Sequence, residues 1–68
     1  MVIVMNGKEH DVPNGATLAA LLREGDITDT TDGIAVAVNA TVVPRRRWAE
    51  VQLRDGDTVE VIHAVQGG

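Results

Sequence analysis

Helical periodicity is confined to one short stretch of this chain, and that restriction sets the fold. Leu18, Leu21 and Leu22 fall at i, i+3 and i+4 and form one apolar stripe, with Thr17 at the N-cap position and Gly25 as the C′ stop. A helix from Leu18 to Glu24 has about two turns, too few to stand alone in water, so its leucines must be buried against another element. The remaining apolar runs are rich in β-branched residues, so that element is a sheet. With 68 residues and no cysteine, the chain has no disulfide staples, thiolate metal sites or thiol nucleophiles. Its small core must be closed by a hydrogen-bonded sheet packed on the helix, or by a partner that covers part of the surface.

Taken in order, Met1 to Met5 is an unbroken apolar run that places Met1, Ile3 and Met5 on one face and Val2 and Val4 on the other, and both faces read as dry. Asn6-Gly7 is a two-residue hairpin signal, because both positions of a type I′ turn require positive φ. Lys8 to Val12 returns as a mostly polar edge strand closed by Pro13. After the helix, residues 26–33 form a polar loop anchored by Ile27; its acids lack calcium-loop spacing and the terminal Glu, so no metal is expected there. Ile34 to Asn39 is a strand with Ile34, Val36 and Val38 on one side and the small Ala35 and Ala37 on the other. A turn at Asn39-Ala40 leads into Thr41-Val42-Val43, which Pro44 ends. Asn39-Ala40-Thr41 also matches a glycosylation acceptor, but with no secretory leader expected the turn explains it. Val51-Gln52-Leu53 is a brief extended piece, and Arg54-Asp55-Gly56-Asp57 is a turn in which Gly56 takes the special backbone angle. Thr58 to Val65 is the longest alternating run, with Val59 and Val61 inward and Thr58 and Glu60 outward, and it continues directly into Gln66-Gly67-Gly68.

A hairpin, a helix laid across it and later strands returning to the same sheet describe an α+β β-grasp: a mixed sheet of four to five strands with one short helix packed on one face. Its last strand is expected beside its first and parallel to it, so that residues 1–65 form the domain and residues 66–68 a flexible tail leaving a central strand. One helix covers one face. Val2, Val4 and Ile62 are therefore left on the far side as an apolar surface expected to dock a partner, although a second copy of the chain would cover it equally. The net charge of −4 argues against nucleic acid, whose phosphates need a basic field, and favours basic partner surfaces. The short apolar N-terminal run suits neither a signal peptide nor a membrane span, so a cytoplasmic protein is expected. Arg45-Arg46-Arg47-Trp48 sets three of the six cationic residues beside the only aromatic one. Arginine and tryptophan are enriched at interface hot spots, which makes Arg45 and Trp48 candidate partner contacts; the alternative is a Trp48 that closes the core beneath solvated arginines.

Nothing in the sequence assembles an enzyme. His10 lies in the edge strand and His63 near the end of the last strand, with no serine, cysteine or spaced metal ligands to join them. Asp55 and Asp57 are turn formers without a third group to make an acid/base site. The scattered glycines form no phosphate loop. The terminal carboxylate of Gly68 is left as the one distinctive reactive group, and glycines before it, lacking Cβ atoms, suit a narrow channel.

Asn6-Gly7 after the first strand, Thr17 before Leu21-Leu22, Ala35-Val36-Ala37-Val38-Asn39, Val43-Pro44-Arg45 followed by Trp48, Gly56-Asp57 and the terminal Gly67-Gly68 together run the length of the chain. In these features it resembles the thiamine-pathway sulfur carriers of the ThiS family, which are ubiquitin-like. The resemblance implies that a ThiF-type activating enzyme, using its own ATP and magnesium, adenylates the Gly68 carboxylate. Sulfur from a donor protein then replaces AMP to leave a thiocarboxylate, which is delivered to a ThiG-type thiazole synthase. Gln66 and Gly67 would give the tail its access. No cofactor is expected on this chain itself. Three alternatives are a carrier like the small subunit of molybdopterin synthase, a protein-conjugating tag, and a β-grasp interaction module with an inert tail; the absence of Phe and Tyr before the tail favours the thiamine reading over the first.

Overall fold

The computed structural model describes residues 1–63. Its strands are β1 (Val2–Met5), β2 (Lys8–Asp11), β3 (Ile34–Val38), β4 (Thr41–Val42) and β5 (Thr58–His63), with helix α1 (Leu18–Glu24) after β2 and a short 3-10 helix (Arg45–Arg47) after β4. The strands form one mixed sheet in the order β2-β1-β5-β3-β4. β1 and β5 run parallel, and the other neighbours are antiparallel. This is the α+β β-grasp that the sequence predicts, with five strands and β5 at the centre. Among the described residues no helix is long and apolar enough to cross a membrane. Ala64 and Val65, expected to extend the last strand, and the tail at residues 66–68 lie outside the described residues, as does the expected domain boundary.

Two-residue turns set both hairpins. Asn6 (φ 49°) and Gly7 (φ 81°) join Met5 to its partner Lys8, and Asn39 (φ 49°) and Ala40 (φ 69°) join Val38 to Thr41. Both residues of each turn have positive φ, as a type I′ turn requires; in the second, alanine occupies a position that glycine fills without steric cost. The expected strand ends at Val12 and Val43 are shorter here. Each of those residues still donates one backbone bond to the sheet, to Met1 and Val36 respectively, at 2.8 Å.

Thr17 caps α1 as predicted, its Oγ1 accepting from the Ala20 N–H at 3.1 Å. The C-terminus differs from the expectation. Gly25 keeps φ at −98°, and the left-handed residue is Asp26 at φ 63°. The N–H groups of Asp26 and Ile27 return to the carbonyls of Arg23 and Leu22, each at 3.0 Å, in the paired pattern of a Schellman motif, with Ile27 packed inward against the core. Aspartate tolerates the left-handed region better than most residues, and its side chain is exposed, which makes Asp26 able to serve where glycine is usual.

The core lies between α1 and one face of the sheet. Ile3, Leu18, Leu22, Val36 and Val59 are sealed from solvent, and Val12, Leu21, Trp48 and Leu53 complete the cluster. The extended piece at Gln52 bridges Thr17, and Leu18 and Leu53 make backbone bonds on either side of it, to Val51 and Ala16 at 2.9 Å. This cross-connection ties the chain after the 3-10 helix to the start of α1. It supplies the tertiary support that a two-turn helix needs.

Candidate functional site: the open sheet face and the base of the C-terminal segment

Strand alternation sorts the sheet into two faces. Ile3, Val36 and Val59 point to α1, so Val2, Val4, Thr58, Glu60, Ile62, Ala35 and Ala37 point away from it. The registers put these residues side by side: Val4 beside Thr58, Ala37 beside Glu60, Ala35 beside Ile62, and Val42 beside Ala37. No helix of the described chain packs on this side, though Ala37 itself is buried among its neighbours. Val2 is 42% exposed, Ile62 49% and Val42 65%, and these three are the large apolar side chains left exposed among the described residues. The expectation that both faces of β1 are dry is therefore corrected: only the helix side is.

Val2, Val4 and Ile62 do share the face opposite α1, as the alternation predicts. Val4 is half-buried, so Val2 and Ile62 contribute more accessible surface. Val42 is a member of this face that the sequence reading missed. It sits in a two-residue strand with no period of its own, and only its pairing with Ala37 assigns it a side. Ala35 and Ala37 are small, so they form a low strip between Ile62 and Glu60 on one flank and Val42 on the other.

The same register gathers carboxylates. Glu9 lies beside Val4 and Asp11 beside Val2, both on the outward face of β2, while Glu60 stands between Thr58 and Ile62 on β5. Lys8, the cation of β2, falls on the opposite set, beside Met5. The open face is thus apolar in patches and acidic in charge.

β5 leads from this face toward residues 64–68, and its start is held by side chains from neighbouring turns. Asn39 donates to Asp57 Oδ1 at 3.0 Å and accepts from the Thr58 N–H at 3.0 Å. Asp57 Oδ2 accepts from the Arg54 N–H at 2.8 Å, and Asp55 Oδ1 accepts from the Val2 N–H at 2.7 Å. Where parallel pairing with β1 runs out, Asn6 takes over: its N–H donates to the Val59 carbonyl at 3.0 Å and its Oδ1 accepts from the Val61 N–H at 2.9 Å. Ile62 and His63 are then paired on one side, with Ala35 and Ile34 of β3. Asp55 and Asp57 are occupied as turn and strand caps, in keeping with their reading as turn formers.

The arginine and tryptophan segment divides between core and surface. Trp48 is 2% exposed, and its indole N–H donates to the Val43 carbonyl at 3.0 Å. It closes the core, so the expectation of a surface contact through Trp48 gives way to the alternative stated with it. Arg45 is half-buried: its guanidinium donates to the carbonyls of Asp29 at 3.1 Å and Ile34 at 3.0 Å and lies 5.5 Å from the centre of the Trp48 ring. Arg45 pins the loop before β3 to the 3-10 helix, while Arg46 and Arg47 are exposed. Among the described residues no cluster of three or more His, Cys, Asp or Glu side chains could hold a metal ion. Gln66, Gly67 and Gly68, the expected reactive end, lie outside the described residues.

Comparison with known proteins gives this geometry a context. Residues 3–68 match the ThiS family. Over all 68 residues the chain is 32% identical to the sulfur carrier protein ThiS of Escherichia coli K12, aligned across the whole of both chains. It is 34% identical over 68 residues to a thiazole synthase of Paramagnetospirillum magneticum, and there it spans only 20% of the relative's length. The crystal structure of the thiamine biosynthesis protein ThiS from Geobacter metallireducens superposes with a TM-score of 0.82 at 26% identity, covering all of both chains.

Proposed function

The chain belongs to the ThiS family of thiamine-biosynthesis sulfur carriers, and from that premise we propose that Gly68 carries the sulfur as a C-terminal thiocarboxylate. The observation that carries this reading is the alignment of the chain, through Gly68, with the whole of the Escherichia coli sulfur carrier. A carboxylate is a poor electrophile and must first gain a leaving group. A ThiF-type enzyme supplies it: a carboxylate oxygen of Gly68 attacks the α-phosphorus of ATP, pyrophosphate departs, and an acyl-adenylate forms. A sulfide equivalent from a donor protein then attacks the carbonyl carbon, AMP leaves, and a C–S bond replaces a C–O bond. ATP and magnesium belong to the activating enzyme, and the chain is a protein co-substrate, with the cytoplasm as its expected compartment. Gln66 and Gly67 extend the reacting carbonyl from the domain, and the lack of Cβ atoms at the last two positions keeps the passage narrow.

The open sheet face is the docking surface in this proposal. Val2, Val42 and Ile62 supply apolar area, and Glu9, Asp11 and Glu60 call for a partner surface that places basic groups around an apolar patch. β5 bears Glu60 and Ile62 and is the strand from which the chain continues into residues 64–68, so docking on this face places the partner on the element that precedes the reacting end. Thiazole synthase is the proposed recipient of the sulfur, supported by the relative of that name in which a segment similar to this chain is covalently included.

The test is the intact mass after incubation with ATP, the cognate activating enzyme and a sulfur donor. Exchange of one C-terminal oxygen for sulfur is expected. A protein that gains neither AMP nor sulfur, under conditions that load the Escherichia coli carrier, would sink the proposal.

A further inference from the structure

One cavity on the helix side of the molecule carries a charge opposite to that of the open sheet face. The cavity, of about 300 Å³, lies between α1, the loop before β3 and the 3-10 helix. Arg23, Arg45 and Arg46 stand around it with Asp29 as the acid among them, so its lining carries a formal charge of +2 (three arginines less one aspartate) in a chain of net charge −4. Ala19, Ile27 and Trp48 give it an apolar floor. Arg45 is committed to the carbonyls of Asp29 and Ile34 and braced over the Trp48 ring, which makes one wall rigid. Arg23 and Arg46 are exposed and form no ion pair among the described residues, whereas Arg47 is paired with Glu50 at 3.5 Å.

The loop amides decide between two kinds of anion. A phosphate site is built from free, convergent backbone N–H groups. Here the N–H of Ile27 returns to Leu22, that of Thr28 to Thr31 Oγ1 at 2.9 Å, that of Thr30 to Thr28 Oγ1 at 3.4 Å, and that of Thr31 to the Thr28 carbonyl at 3.0 Å. The loop spends these donors internally. What the cavity offers is two unpaired guanidinium groups above an apolar floor, a combination that suits a carboxylate beside an apolar side chain.

We propose that this cavity is a second docking site, taking an acidic and apolar segment of a partner protein, with the segment's carboxylate between Arg23 and Arg46 and its apolar side chain over Ala19 and Ile27, beside the largely covered Trp48. The site lies on the layer opposite the open sheet face. A protein held there therefore leaves Val2, Val42 and Ile62 free for another, and the carrier can be bound on both sides at once. This inference stands apart from the sulfur chemistry: loss of the helix-side site would leave thiocarboxylate formation intact.

The test uses short synthetic peptides that pair glutamate with leucine, against counterparts with lysine for glutamate or serine for leucine, and inorganic phosphate as the non-peptide probe. Binding is followed by Trp48 fluorescence and by amide shifts in ¹⁵N-labelled full-length protein. The glutamate-leucine set should shift Ala19, Arg23, Ile27 and the Trp48 indole, bind roughly tenfold more tightly than either counterpart, and lose that preference in R23Q/R46Q. The double substitution changes exposed side chains only, and its melting midpoint checks that it is folded; R23E/R46E, which should reverse the preference toward the lysine set, provides a second reading. Equal binding of all peptides, shifts confined to the open sheet face, binding that survives R23Q/R46Q, or phosphate binding that exceeds that of the peptides would each overturn the proposal.

Discussion

Consider V2T/V42T/I62T, which changes the open face while keeping β-branched side chains in all three strands. Threonine retains strand propensity, so the substitutions act chiefly on apolar area rather than on backbone preference. The triple change removes about four carbon groups, worth about 0.8 kcal/mol each if fully desolvated in a complex, or about 3 kcal/mol in all. The structure tempers that figure. Val2, Val42 and Ile62 are 42%, 65% and 49% exposed, so about half of each side chain is already covered in the free protein, and docking gains only the remainder. The loss on binding is then roughly 1.5 kcal/mol, or about tenfold in Kd. Isothermal titration calorimetry against the cognate activating enzyme gives the number, with a thermal melt to confirm that the triple variant is native at the assay temperature. A Kd within about threefold of the parent, in a protein shown to be folded, would refute this face as the docking surface.

Three further perturbations test separate links. E60K should slow association with the same enzyme, and the parent's loss of on-rate with added salt should flatten in the variant; an unchanged on-rate would mean that the partner places no basic group near β5. R45K should cost about 1–2 kcal/mol in urea unfolding, because one ammonium cannot reproduce the two guanidinium bonds to Asp29 and Ile34, and full stability in R45K would show those bonds to be dispensable. A40G should raise stability by about 0.5–1 kcal/mol, since glycine relieves a left-handed alanine at φ 69° but adds freedom to the unfolded chain; no gain in urea would mean that the turn stores no such strain.

Much of the architecture could be read from residue patterns because each element carries its own signal. Asn6-Gly7, the leucine stripe behind Thr17 and the alternation of β5 need no tertiary information to be recognised, and one helix beside several strands leaves few ways to close a core. The misses at Trp48, Arg45 and Val42 share an origin in contacts that no local residue pattern announces. Trp48 could serve either core or surface until the fold placed its indole beneath the Val43 carbonyl. Arg45 reads as a surface charge, yet its partners are carbonyls at Asp29 and Ile34, and no sequence pattern announces a guanidinium bonded to backbone. Val42 acquired a face only through Ala37. The separation of charge, with acids on the open sheet face and a +2 cavity on the helix side, likewise depends on strand register and helix placement rather than on any run of like residues.

Register is also what decides which apolar set of β1 becomes the functional surface. Met1, Ile3 and Met5 could exchange roles with Val2 and Val4 through a one-residue slip, since both sets are apolar and hydrophobic patterning alone resists the exchange weakly. The polar anchors around β1 supply the missing specification. Asp55 receives the Val2 N–H, the Gly56 N–H returns to the Val2 carbonyl at 2.8 Å, and Asn6 bonds both Val59 and Val61 at the other end. A slip of one residue would present the wrong backbone groups to Asp55 and Asn6 together, at a cost of about 0.5–1.5 kcal/mol for each of these solvent-exposed hydrogen bonds lost. Those turn residues therefore do more than reverse the chain: by locking β1 against β5 they bury Ile3, leave Val2 outward beside Asp11, and so fix both the apolar face and its acidic border on the sheet whose central strand, β5, precedes Gly68 in the chain.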